Sequence, residues 1–167
     1  MEKVYGATRR NDQLLLFDTG NATLIYGYGE EKGNGYDYRE YFNHHPERGE
    51  VMEVITNHVN KLTDESILTG FQWQDKPVYL SSENEFNFKA AYDLAVQMEG
   101  EALPVKFKLG EQADGTPVYH TFTDLAEFTD FYTSAIAYVN QTLNAGWEEK
   151  DNAREWVDDI FGKEVGL

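Results

Sequence analysis

A chain of 167 residues with 41% hydrophobic and 14% aromatic content can bury a real core, which argues against disorder despite 26% charged residues. Its 30 acidic against 14 basic side chains leave a formal charge of −16, which opposes phosphate and argues against direct nucleic-acid binding through counterion release. The absence of cysteine removes disulfide, zinc-thiolate and thiol-nucleophile chemistry.

The amino-terminal MEKVYGATRR lacks the apolar stretch of a signal peptide, and no run approaches a membrane span, so a soluble chain made in the cytosol is expected. KVYGAT, QLLLFDTG and ATLIYGYG alternate as strands separated by the turn residues of RRND and DTGN, which predicts a small antiparallel meander. After EEKGNG, read as a flexible hairpin loop, YDYREYF continues it with Tyr36, Tyr38 and Tyr41 mostly on one face. From Pro46 the period changes. Val51, Val54, Ile55, His58, Val59 and Leu62 recur at helical spacing, and the helix is expected to end near Leu62 to Thr63.

SILTGFQWQDKPVYLS predicts a hairpin around Gln74, Asp75 and Lys76, with Trp73 and Tyr79 as a packing pair. A second helix, Glu83 to about Met98, closes at Gly100 and carries Phe86, Ala90, Ala91, Leu94, Ala95 and Met98 at helical spacing. VKFKL and VYHTF predict a further hairpin turned at Asp114 and Gly115. Thr123 is the expected N-cap of the longest helix, Asp124 to about Asn144, with Leu125, Phe128, Tyr132, Ala135, Ile136, Val139 and Leu143 as its apolar stripe and Gly146 as its stop. The tail from Trp147 to Leu167 has one more amphipathic pattern and is expected to pack on a neighbour or fray. These elements predict an α+β fold of antiparallel meander and hairpins with three or four amphipathic helices. Residues 1–45 form an N-terminal β-rich subdomain and 46–167 an α+β domain, with no low-complexity linker between them.

The junction VYLSSENEFNFKAAY is the densest polar cluster. Ser82 and Glu85 have capping-box spacing, and Glu83 and Glu85 suit the positive end of the helix dipole, so helix-start chemistry accounts for them. A recognition edge of Asn84, Asn87, Phe86 and Phe88 is the functional alternative, and only one of the two phenylalanines can face the core squarely. His44 and His45 with Glu47 and Glu50 lack the HExxH spacing of a metal site, no GxSxG elbow occurs, and the glycines of GYGEEKGNG come without a Walker lysine. No catalytic, metal-binding or cofactor-binding residue is expected.

The run TDESILTGFQWQDKPVYLSSENEFNFKAAYDLAVQ, then LPVKFKLGE, then FTDLAEFTDFYTSAIAYVNQTLNAGWEEKD resembles a family of small uncharacterised domains encoded by bacteriophages and prophages. The likeness spans roughly Asn57 to Asn152 and rests on the GF-x-W and V-x-L-S flanks of the hairpin, the S-x-E-N-x-x-N helix start that ends at Asn87, and TLNAGW. It implies a virion or tail-associated setting and no particular chemistry. The expected function is a non-enzymatic phage structural protein, made in the host cytoplasm and located in the virion. Its expected partners are other phage structural proteins in a homo-oligomeric or symmetric assembly, with no direct nucleic acid and no membrane. The alternatives are a tail or tail-fibre assembly factor absent from the mature particle, and an acidic counter-defence protein acting as a nucleic-acid mimic or nucleotide sponge. Candidate interface anchors are Tyr26, Tyr28, Tyr36, Tyr38, Tyr41, Trp147 and Trp156, each tyrosine having core packing as its alternative.

Overall fold

The computed structural model describes residues 1–10 and 13–164, and its fold is α+β. It divides into two compact units, Met1–Asn60 with Trp147–Leu167, and Lys61–Gly146. The boundary expected near residue 45 is therefore displaced. The reason is that two helices, α1 (Arg48–Thr69) and α3 (Leu125–Glu164), each contribute one end to each unit.

In the first unit β1 (Glu2–Tyr5), β2 (Leu14–Asp18), β3 (Asn21–Glu31) and β4 (Asn34–Phe42) form one antiparallel sheet in the order β1-β4-β3-β2. Strands β2, β3 and β4 follow as a meander, while β1 crosses to the far edge and pairs with β4. EEKGNG turns a hairpin, as its residues predict. Its ends belong to β3 and β4, joined at Lys32 (φ 51°) and Gly33 (φ 80°), the left-handed pair that matches strand twist in a tight hairpin. One sheet face supplies Ala22, Leu24, Tyr26 and Phe42 to a core completed by Val51, Ile55 and Val59 of α1 and Ala153 and Val157 of α3. On the other face Asp37 is wholly buried, its carboxylate accepting from Arg10 Nη2 at 2.5 Å and Arg39 Nε at 2.7 Å.

The second unit holds the hairpin β5 (Gln72–Trp73) and β6 (Lys76–Pro77), helix α2 (Ser82–Gln97) and the hairpin β7 (Val105–Glu111) and β8 (Pro117–Phe122). Gln74 (φ 49°) and Asp75 (φ 58°) make the first turn as the sequence predicts. The core is aromatic: Phe122 stacks on Phe128 at 4.5 Å, and Phe131 lies 5.2 Å from Trp73 and 5.1 Å from Phe88. Each fully buried ring of this size contributes about 1.5–3 kcal/mol of transfer free energy. Trp73 meets His120, Phe122 and Phe131, and its Nε1 donates to Asp130 at 2.9 Å, so its packing partners come from β8 and α3 and not from Tyr79.

Three helix boundaries differ from the sequence reading. Helix α1 continues past Thr63 to Thr69, because the polar TDES run is a solvated turn and Ile67 resumes apolar packing. Asp124, not Thr123, starts α3, its Oδ1 accepting from the Glu127 amide at 3.0 Å. Helix α3 then runs through Gly146 for 40 residues, which absorbs the expected tail helix and leaves three helices among the described residues. Gly146 is a close-approach residue: a Cβ there would sit 2.5 Å from Thr63 Oγ1. No helix of the described residues is long and apolar enough to cross a membrane.

Candidate functional site: an apolar groove beside the start of α2

Helix α2 is held by Phe88, Ala91, Tyr92 and Ala95, at spacing 3, 4 and 7 from Phe88. Phe88 meets Phe107 and Phe131 edge-on at 5.0 and 5.1 Å, and Tyr92 stacks on Tyr132 at 4.5 Å. With that face inward, the apolar spacing read from sequence splits in two. Phe86 is 71% exposed, Leu94 49% and Met98 43%, and these positions do not serve the core. The question posed by Phe86 and Phe88 is answered: Phe88 enters the core and Phe86 stands outside.

The cap is shifted by one residue from the expected box. Ser81 is the N-cap, its Oγ accepting from the Asn84 amide at 3.3 Å, while Asn84 Nδ2 donates back to the Tyr79 carbonyl at 2.9 Å. Glu85 consequently does not close a capping box with Ser82. Its carboxylate borders a groove instead, where burial pushes its pKa above the usual carboxylate value.

The groove has a volume of about 280 Å³. Leu80, Ser82, Glu85, Phe86, Phe88 and Lys89 line one side, and Tyr132, Ala135, Ile136, Val139 and Asn140 of α3 line the other. A second depression of about 470 Å³ adjoins it, sharing Leu80, Ser82 and Glu85 and adding Asp64, Ile67, Leu68 and Ser81. Glu85 therefore stands where the two meet. Ile136 is 45% exposed and Leu68 41%, so both depressions have exposed aliphatic side chains at their edges. Lys89 is held by Asp93 at 2.6 Å, whereas Asp64 and Glu85 have no cationic partner among the described residues.

Another polar concentration in this unit is internally satisfied. Lys76 Nζ lies 3.3 Å from His120 Nδ1, and His120 Nε2 lies 3.1 Å from Glu127. Lysine can only donate, so the neutral imidazole accepts at Nδ1 and donates from Nε2 to the carboxylate. With its ring packed on Trp73 and Phe122, His120 joins β8 to α3.

The aromatic candidates of the first unit are not assembled into one surface. Tyr26 is 3% exposed and is a core residue, its phenol driven up by burial and then by Glu149. Tyr36 lies edge-on between Tyr5 at 6.0 Å and Tyr38 at 5.7 Å, with Lys3 Nζ 3.8 Å from its ring centre. Tyr38 packs on buried His58 at 4.2 Å. Tyr28 donates to Glu30 at 2.9 Å. Tyr41, 63% exposed, alternates to the opposite sheet face beside Thr23 and Leu16, because β4 keeps strict period two where one shared face was expected. Trp147 is 55% exposed, and half-buried Trp156 packs on the core.

His44 bonds Asn43 and Glu50, and His45 bonds the Asp18 carbonyl. Among the described residues no three His, Asp or Glu side chains come together to hold a metal. Comparison with protein-family models, curated proteins and solved structures finds no match to this chain.

Proposed function

We propose that the protein is a non-enzymatic docking component of a bacteriophage particle, associated with the virion or tail. It is made in the host cytoplasm and engages other structural proteins in a symmetric assembly. The setting is supported by the resemblance of residues 57–152 to phage-encoded domains. Docking is supported by one observation above the rest: Phe86, 71% exposed, stands beside an apolar groove with half-exposed Ile136 across it. A phenylalanine left in water forgoes the transfer free energy that burial would supply, and apolar side chains gathered round a concavity mark contact sites.

The groove suits contact better than chemistry. Its polar lining is confined to Ser82, Glu85, Lys89, Tyr132 and Asn140, with no nucleophile paired to a base. The experiment is quantitative mass spectrometry of purified particles carrying either the native chain or F86S/I136S, with circular dichroism to establish that both fold. The native chain is expected at a fixed stoichiometry to the capsid protein, and the variant is expected to be depleted at least about tenfold, the effect of losing one central apolar anchor. Equal incorporation of the two, or absence of the native chain, would overturn the reading.

A further inference from the structure

We infer that the groove of the second unit receives an amphipathic helix of a partner protein, apolar on one face, whose flanking lysine or arginine side chains meet Glu85 and Asp64. The inference rests on the docking reading and adds the partner's chemistry to it.

The floor is made for an apolar stripe. Leu80, Phe88, Ala135 and Val139 form it, and Phe86 and Ile136 stand at its edges, so a helix laid between α2 and α3 buries side chains at spacing 3, 4 and 7. The charge at the groove has one sign once internal pairs are discounted. Lys89 is neutralised by Asp93, which leaves Asp64 and Glu85, one in the second depression and one at the junction of both. An arriving cation meets Glu85 where the two depressions join and Asp64 in the second of them, each beside exposed aliphatic side chains.

The same charges disfavour the other occupants. A second copy brings its own −16, and its amphipathic helices carry acidic polar faces such as the WEEKD segment of α3. A small ligand requires convergent polar groups to fix its orientation, and the groove offers one carboxylate, one amide, two hydroxyls and the Lys89 ammonium already paired with Asp93.

The test uses the full chain and a fluorescein-labelled synthetic helix of about 14 residues, about 21 Å long. One peptide carries leucines at spacing 3, 4 and 7 flanked by lysines. Its twin has glutamate for every lysine, and a third scrambles the first. Anisotropy titrations compare the native chain with D64N/E85Q, with E99Q/E101Q, which removes equal charge away from the groove, and with F86S/I136S.

The basic amphipathic peptide is expected to bind the native chain, to weaken about tenfold on D64N/E85Q, and to change less than about twofold on E99Q/E101Q. F86S/I136S should abolish binding, and the acidic twin and the scramble should not bind. Equal weakening by the two charge-neutral pairs, or equal affinity for the twin or scramble, overturns the inference. So does absence of peptide binding. If that absence accompanies depletion of F86S/I136S from particles, the docking role stands with a different partner. If the peptide binds as expected but F86S/I136S is incorporated normally, the groove's chemistry stands and the particle role falls.

Discussion

Replacing Gly146 with alanine should destabilise the protein, although alanine is the better helix former. In an exposed helix interior the exchange stabilises by about 1 kcal/mol. Here the new methyl carbon would lie 2.5 Å from Thr63 Oγ1, with Thr63 Cγ2 and Cβ at 3.4 and 3.5 Å. An atom at 2.5 Å cannot stay, and displacing a packed side chain costs about 1–3 kcal/mol, so the net loss should be about 1 kcal/mol. Removing Oγ1 and Cγ2 by T63A leaves only Cβ at an ordinary contact distance. In that background G146A should become stabilising by about 1 kcal/mol, giving a coupling free energy of about 2 kcal/mol. Urea unfolding of the native chain, both single variants and the double variant measures the cycle. A G146A effect of the same sign and size in both backgrounds would refute close approach of α1 and α3 at this point.

Phe131, fully buried among Trp73, Phe88 and Phe122, should cost about 3–5 kcal/mol on change to alanine, read by urea unfolding. D37A should cost about 1–3 kcal/mol, since it removes the buried carboxylate that accepts from both partly exposed guanidiniums of Arg10 and Arg39, and a cost below about 0.5 kcal/mol would contradict the paired arrangement. Glu85 has its carboxyl raised by burial, so its ionised form opposes folding above the raised pKa and ceases to as pH falls through that value. Glu85 keeps much of its surface in water, so E85Q should raise the melting temperature only slightly at pH 7, with the difference closing toward the ordinary carboxylate value of 4.5; a difference that widens in acid would refute the partial desolvation of the Glu85 carboxylate. Neutral His120 should appear as the Nε2–H tautomer in long-range nitrogen–proton spectra, and the Nδ1–H form would contradict the Lys76 contact.

The hairpins were legible because their turn residues carry the conformational demand locally: Gln74 with Asp75, and Asp114 with Gly115. The long helices were not, and the reason lies in Gly146 and the TDES run. Both read as terminators by propensity, yet Gly146 is required by the neighbouring Thr63, a contact 83 positions away that no local pattern carries. The division into units was hidden for the same reason, since α1 and α3 cross it without a linker. The groove was half legible: Phe86 and Phe88, two apart on a helix, signalled that one ring faces outward. Ser81 displaced Ser82 as the cap because Asn84 bonds the Tyr79 carbonyl, and this freed Glu85 for the groove. The tyrosines at 26, 36 and 38 read as surface anchors, but alternation in β3 and β4 turns them toward the face that packs on His58.

Photo-crosslinking from position 86 tests the docking claim most directly. Benzoylphenylalanine is placed at Phe86 in one chain and at exposed Tyr41 in another, and particles assembled with each are irradiated and analysed by mass spectrometry. The account predicts crosslinks from position 86 to one structural protein, within a basic amphipathic segment, and few or different crosslinks from position 41. No protein crosslink from position 86 in particles that contain the chain, or the same partners at equal yield from both positions, would contradict it.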